Sequence, residues 1–270
     1  LKSKLFQSFD LIGSSQNMLS IKEQINKYAL SDSRVFISGP TGSGKELVAR
    51  KIHNKSKRNQ KPFIILNGAL LDVKKYEEEL FGEERNDGSI SYGALEKASG
   101  GFLLIDEVTD IPLETQSKIL RVVIDQKFKR IKGNHDIKVD VRIICSTSKD
   151  ILKEISQGNF REDLYHRLNV FNINIEPLSK RIEDIPDLSK YFIKEICKNY
   201  NRKEFFINNF DYLLNYNWPG NVRELRNLIE RIAILQPNTQ EKISNIIKES
   251  LKSGINNNRF NENSLSVPLK

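Results

Sequence analysis

In the first part of the chain, short apolar runs alternate with longer stretches of helical periodicity. Val35-Phe36-Ile37-Ser38, Phe63-Ile64-Ile65-Leu66, Gly101-Phe102-Leu103-Leu104-Ile105 and Val141-Arg142-Ile143-Ile144-Cys145 are mostly apolar runs. Such runs predict strands buried on both faces, and helix-like sequence between them predicts a parallel α/β sheet. After Glu176-Pro177-Leu178 the pattern changes. Leu188, Phe192, Ile193 and Ile196, then Val222, Leu225, Leu228, Ile229 and Ile232, recur at helical spacing, and no strand-like run interrupts them. The expectation is an α/β unit over residues 1–176 followed by a small all-helical unit over 177–238. Beyond Gln236-Pro237-Asn238 the chain turns polar, with Asn256-Asn257-Asn258, which predicts a helix and then a linker over 239–270.

Composition narrows this little. With 270 residues, 38% hydrophobic and 29% charged, the chain can bury a core of one large or two unequal domains. No apolar run approaches the roughly 18 residues of a membrane span. The start, Leu1-Lys2-Ser3-Lys4-Leu5, has neither an initiator Met nor a leader pattern, as expected of part of a longer protein. Cys145 and Cys197 lie far apart with no metal-ligand spacing, so two buried thiols in a reducing cytoplasm are expected. The net charge of +8 is spread along the chain, whereas a nucleic-acid surface would concentrate it. The densest basic stretch, Lys55 to Lys61, reads as a solvated loop.

The chemistry lies at the ends of the predicted strands. Gly39-Pro40-Thr41-Gly42-Ser43-Gly44-Lys45 follows the first strand and opens a helical stretch. At this spacing successive backbone N–H groups turn inward around phosphates, and the Lys45 ammonium reaches the terminal oxygens. The next residue is Glu46, where a Ser or Thr hydroxyl would usually meet magnesium. Another magnesium ligand is therefore expected, and the third strand ends in Asp106-Glu107. Ligands of open parallel sheets sit at the carboxyl ends of strands, so Asp106 is placed to hold hydrated Mg²⁺ and Glu107 to polarise an attacking water. Asn67, at the end of the strand between them, reads either as a hydrogen-bond partner for Glu107 or as a turn residue. In Phe160-Arg161-Glu162-Asp163-Leu164-Tyr165-His166-Arg167-Leu168 two arginines six apart, read on one helix, come to the outer surface. They are either solvated or reach a neighbouring subunit's phosphates, a role suited to a permanently charged, bidentate guanidinium.

These residues resemble the AAA+ domain of bacterial enhancer-binding proteins, the regulators associated with sigma-54 RNA polymerase, from about Phe9 to Arg231. Leu11-Ile12-Gly13-Ser14-Ser15 is similar to the family's adenine-side opening motif, and Glu46 is its normal choice after the P-loop lysine. Glu79-Leu80-Phe81-Gly82, Gly100 to Glu107, Phe160 to Leu168 and Trp218-Pro219-Gly220-Asn221-Val222-Arg223-Glu224-Leu225 follow in the family's order. The resemblance implies a three-layer α/β sandwich with a helical lid, ATP and Mg²⁺ as cofactors, and a ring, usually a hexamer, with nucleotide between subunits. It implies nucleotide contacts at Ile12, Gly13, Gly39, Pro40, Thr41, Gly42, Ser43, Gly44, Lys45, Glu46 and Leu47. It also assigns Asn67 to a glutamate switch, Thr147 to sensor I, Arg223 to sensor II, and Arg161 and Arg167 to fingers acting in trans.

Two departures stand out. In Cys145-Ser146-Thr147-Ser148, Ser148 stands where the family commonly has a longer polar residue. After Phe81-Gly82, members that drive sigma-54 carry Gly-Ala-Phe-Thr-Gly-Ala; here the chain reads Glu83-Glu84-Arg85-Asn86-Asp87-Gly88-Ser89-Ile90-Ser91-Tyr92-Gly93, shorter and without the docking Phe. The loss, with Glu114 to Val123 and the tail Ser264 to Leu269, is similar to the NtrX branch of response regulators. That branch implies an ATPase in transcription control, with a receiver served by a sensor histidine kinase and a DNA-binding domain, both outside this chain. RNA polymerase remains a possible partner, no membrane is expected, and activation of sigma-54 through the loop is not.

Overall fold

A computed structural model describes residues 10–68 and 73–262, with side chains described except at 73 and 253–262. The sequence runs through helix α1 (Gln16–Ala29), strand β1 (Val35–Ser38), helix α2 (Lys45–Lys55), strand β2 (Phe63–Asn67) and helix α3 (Val73–Phe81). A hairpin, β3 (Gly82–Glu84) and β4 (Ile90–Tyr92), and a short helix α4 (Ala94–Lys97) lead into β5 (Phe102–Asp106). Helix α5 (Leu113–Asp125), the ribbon β6 (Lys127–Phe128) and β7 (Ile137–Lys138), β8 (Arg142–Thr147), α6 (Ile151–Ser156), α7 (Glu162–Leu168) and β9 (Phe171–Asn174) follow. The remaining helices are α8 (Asp184–Asn199), α9 (Asp211–Leu214), α10 (Asn221–Leu235) and α11 (Gln240–Glu262).

Five strands form one parallel sheet in the order β2-β5-β8-β1-β9. Side chains alternate across it, as the pleat requires. Phe102 and Leu104 face a core with Met18, Ile21 and Ile25 of α1 and Val48 and Ile52 of α2. Leu103 and Ile105 face the opposite core, with Tyr76 and Leu80 of α3, Ile119 and Val122 of α5, and Leu164 and Leu168 of α7. Apolar layers on both faces explain why the predicted strands are apolar at successive positions and not only at alternate ones. All four predicted strands are present; β9 was not foreseen. It is an edge strand, paired only with β1, and of Phe171-Asn172-Ile173-Asn174 just Ile173 is fully buried. Two apolar positions among four are too weak a signal to distinguish from loop.

The chain divides into two compact units, residues 1–11 with 17–176 and residues 12–16 with 177–270. The segment Ile12–Gln16, which the sequence reading kept with the first unit, belongs to the second. Its tether is Asp184, fully buried at the start of α8. Asp184 Oδ1 accepts the N–H groups of Ser14 and Ser15, each at 2.8 Å, and Oδ2 accepts the Ser15 hydroxyl at 2.8 Å. Arg181, 2% exposed, donates to Oδ2 at 3.3 Å. Gly13 lies so close that an added Cβ would stand 2.7 Å from the Asp184 carboxyl, at a φ of +140° besides, so only glycine fits. The second unit is otherwise helical. Leu178, Ile185, Phe192, Trp218, Leu225 and Ile229 form its core, and the Trp218 indole donates to the Leu213 carbonyl at 2.7 Å.

Helix α11 extends further than its composition suggests. Ile243, Ile247 and Leu251, four residues apart, are buried against the second unit's core, and helix continues from them through Asn256-Asn257-Asn258. Asparagine is a mediocre helix former but not a breaker. Residues 263–270, where a linker was read, lie outside the described residues. No described helix is long and apolar enough to cross a membrane. Cys145 and Cys197 are both free and buried, and burial pushes the Cys145 thiol well above its ordinary pKa. In the basic stretch Arg58 is more than solvated: it pairs with Asp32 at 3.1 Å and Asp140 at 3.0 Å.

Candidate functional site: a P-loop facing a carboxylate turn

The order β5-β8-β1 places the end of β8 between the P-loop, which leaves β1, and the Asp106-Glu107 turn, which leaves β5. The P-loop is held from below. Gly39 N–H donates to the Thr147 carbonyl at 3.3 Å, and a Cβ on Gly39 would meet the Ile175 carbonyl at 2.7 Å. Gly44, the N-cap of α2, has φ +106° and nothing within 4 Å of where a Cβ would lie. That open side and the uncapped N–H groups behind it suit an anion.

Lys45 is 6% exposed although it is the loop's cation. Its Nζ donates to the Gly39 carbonyl at 3.0 Å and pairs with Glu107 Oε1 at 3.2 Å. Glu107 has φ 53° and ψ 54°, a left-handed backbone that costs a non-glycine residue about 1–2 kcal/mol. Such strain persists where the surroundings over-determine it, and here they do. Its second oxygen, Oε2, accepts the Ser148 N–H at 2.8 Å and the Ser148 hydroxyl at 2.9 Å.

Asp106, one residue earlier, accepts a short hydrogen bond from the Ser146 hydroxyl at Oδ1. Asn67 stands beside Asp106 in the sheet register. Next to it a Cβ on Gly68 would meet the Glu107 carbonyl at 2.7 Å, so the two turns approach backbone to backbone. Thr147 is fully buried, and its hydroxyl lies 2.9 Å from that of Thr109 and accepts the Lys149 N–H at 3.1 Å. Three successive hydroxyls at the end of β8 therefore latch the acid turn: Ser146 on Asp106, Thr147 on Thr109, Ser148 on Glu107. The resemblance assigns a role to Thr147 and marks Ser148 only as a departure. The bonds of the two serines are not legible in sequence because their partners are set by strand register, which no local spacing encodes.

Glu46 is accounted for in the same way. Its Oε1 takes Arg50 at 2.8 Å, one helical turn on, and the Arg50 guanidinium lies 5.0 Å from the Phe63 ring centre. The residue at the usual hydroxyl position thus stabilises α2. Pro40, Thr41, Gly42, Ser43 and Leu47 lie in the P-loop and the first turn of α2. Ile12, Gly13 and Arg223 belong to the second unit, where Arg223 is exposed on the first turn of α10.

The two arginines do not share a helix. Arg161 has extended φ and ψ and caps α7 from outside, its N–H bonded to Gln116 Oε1 at 2.9 Å. Its guanidinium takes both oxygens of Asp163, at 3.0 and 2.7 Å, and Ser117 Oγ at 3.1 Å, a pairing that raises its pKa. Arg167 lies in the last turn of α7. Both are exposed.

The shortened loop after Gly82 is a closed hairpin. Arg85 N–H bonds the Ser89 carbonyl at 2.9 Å, and Asp87 Oδ1 accepts the Ser89 N–H at 2.9 Å across Gly88 at φ +81°. The hairpin is pinned to the β6–β7 ribbon. Glu84 N–H bonds the Ile131 carbonyl, and Ile131 N–H the Gly82 carbonyl. Arg130 links Glu84 at 2.9 Å to Glu96 at 2.6 Å, and Lys132 meets Glu83 at 2.7 Å. Arg130→Ala removes the charge-assisted centre of this clamp. Amide exchange over Gly82–Tyr92 is expected to quicken about 10-fold while the sheet amides keep their protection; unchanged hairpin exchange would contradict the clamp.

Comparisons with known proteins show the family. Residues 11–174 match the sigma-54 interaction domain, and residues 179–263 match the AAA+ ATPase lid domain. The chain is 44% identical over 235 residues to the nitrogen assimilation regulatory protein NtrX of Azorhizobium caulinodans, covering 86% of this chain and 52% of that one. It is 41% identical over 285 residues to a putative NtrX-like response regulator of Rickettsia bellii, covering all of this chain and 59% of the relative. A crystal structure of Brucella abortus NtrX in complex with ATP superposes with a TM-score of 0.82 at 44% identity, over 88% of this chain and 53% of that one. The chain thus spans about half the length of these relatives. Its parallel sheet with a P-loop, its helical second unit and these matches together make it a member of the sigma-54 interaction domain family of AAA+ proteins, with the family's lid, similar to the NtrX response regulators.

Proposed function

We propose that this chain binds and hydrolyses ATP as the central part of an NtrX-like two-component response regulator that controls transcription. The observation that carries the reading is the meeting of Lys45 and Glu107, 3.2 Å apart at the carboxyl edge of the sheet. A cation placed for terminal phosphates beside a fixed carboxylate is what water attack on a γ-phosphate requires. The P-loop N–H groups and Lys45 orient the phosphates and offset their charge. Glu107 orients the water and takes its proton as the new bond to phosphorus forms and the bond to ADP breaks. Asn67 acts on Glu107 as a switch, and Thr147 through the strand end it secures.

Magnesium fits the donors present. Asp106 has its Oδ1 turned to Ser146, and among the described residues no cluster of three or more carboxylates, imidazoles or thiols gathers. A cation held mainly by phosphates and water, with one carboxylate reaching it through water, suits Mg²⁺. When bound it would neutralise phosphate charge.

Arg161 and Arg167, both exposed, serve the nucleotide of the next subunit in a ring, for which a hexamer is the family's usual size. Roles toward nucleotide for Ile12, Gly13 and Arg223 rest on the resemblance alone. The pinned, tip-closed hairpin after Gly82 supports a domain that does not engage sigma-54 through this loop. Contacts with a sensor kinase and with DNA, in the cytoplasm, are proposed for parts of the full-length regulator outside this chain. Nucleotide affinity and phosphate release, measured on the same preparations of wild type and Glu107→Gln, test the reading.

A further inference from the structure

We propose that Ser148 is the positioning residue of the hydrolytic carboxylate, a role that rests on the ATPase reading above. The end of β8 is wedged between the P-loop and the acid turn. Ser148 is the residue there that reaches Glu107, presenting its N–H and its hydroxyl to the same oxygen at 2.8 and 2.9 Å. A serine hydroxyl lies close to its own N–H, so both donors converge on one acceptor. A longer amide side chain would carry its donor past this point, which gives the short residue at this position a physical reason. Ser148 is solvent-exposed, so its hydroxyl has water as an alternative partner, yet it points at the carboxylate. With Oε2 fixed from this side, Oε1 faces Lys45 and the space in front of the P-loop. When Lys45 turns to phosphates, Ser148 is what keeps Glu107 oriented, against a backbone already in the left-handed region.

The test uses the 270-residue chain at a protein concentration where specific activity has levelled off. Steady-state hydrolysis, affinity for a fluorescent ATP analogue and thermal melting are measured for wild type, Ser148→Ala, Ser148→Thr and Glu107→Gln. Ser148→Ala loses the hydroxyl but keeps the N–H, and one hydrogen bond to a charged group corresponds to a fall in kcat of about 10-fold. KM, analogue affinity and melting temperature stay within error of wild type, and Ser148→Thr, which retains the hydroxyl, stays within about 2-fold in kcat. A raised KM with unchanged kcat, or a loss in Ser148→Thr equal to that in Ser148→Ala, overturns the proposal. So does wild-type turnover in Ser148→Ala while Glu107→Gln is slow. Wild-type turnover in Glu107→Gln overturns Glu107 as the hydrolytic base and this proposal with it, whereas no turnover in wild type overturns the ATPase reading itself.

Discussion

Glu107→Gln is expected to bind ATP at least as tightly as wild type while releasing phosphate 100-fold or more slowly, the usual range for loss of a general base being about 10²–10⁴. The substitution is nearly isosteric, so the Ser148 N–H and hydroxyl still find an acceptor at the amide oxygen. What is lost is a group able to take the water's proton. Binding survives because phosphates are held by the P-loop N–H groups and Lys45, and Lys45 no longer has a carboxylate 3.2 Å away competing for it. Equal turnover in the two proteins would mean that Glu107 only anchors Lys45. A parallel loss of binding would mean that the Lys45–Glu107 pair is structural.

Asp184→Ala is expected to destabilise the second unit by about 3–5 kcal/mol, the cost of leaving one member of a buried ion pair behind. Asp184 is wholly buried and Arg181 is 2% exposed. Removing the carboxylate strands the guanidinium and takes the shared acceptor from Ser14 N–H, Ser15 N–H and the Ser15 hydroxyl. Urea unfolding followed through Trp218, in the core of that unit, reads the loss directly. Asp184→Asn, which keeps an acceptor oxygen, should lie between. A change below about 1 kcal/mol in Asp184→Ala, the scale of a surface pair, would show that the carboxylate is not the tether.

The parts of this architecture visible in sequence are those that local spacing dictates. Gly39-x4-Gly44-Lys45 can be read because one continuous segment must supply the turn, the open glycine and the lysine. Asp106-Glu107 can be read because an apolar strand delivers it to a known edge of the sheet. Glu46 departs from the general P-loop pattern but is the normal choice in the family that the chain resembles, and its partner Arg50 lies one helical turn away. What escaped depends on distant pairing. The Ser146 and Ser148 bonds need the register of β8 against β5. The tether of Ile12–Gln16 needs Asp184, some 170 residues later. Arg161 was misplaced on a helix because Gln116, from α5, takes its N–H and fixes the helix start one residue later. The segment after Gly82 reads in sequence as a shortened loop, and its pinning by Arg130 and Lys132 comes from residues 46 and 49 positions downstream of their partners Glu84 and Glu83.

We propose that the nucleotide site is completed by assembly, with Arg161 and Arg167 supplied by a neighbouring subunit. Phosphate release per subunit, measured over a wide range of protein concentration, addresses it most directly. A shared site gives a specific activity that rises with concentration and then levels off as rings fill, and that stays low throughout in Arg161→Ala and Arg167→Ala at unchanged ATP affinity. A specific activity independent of concentration would contradict it.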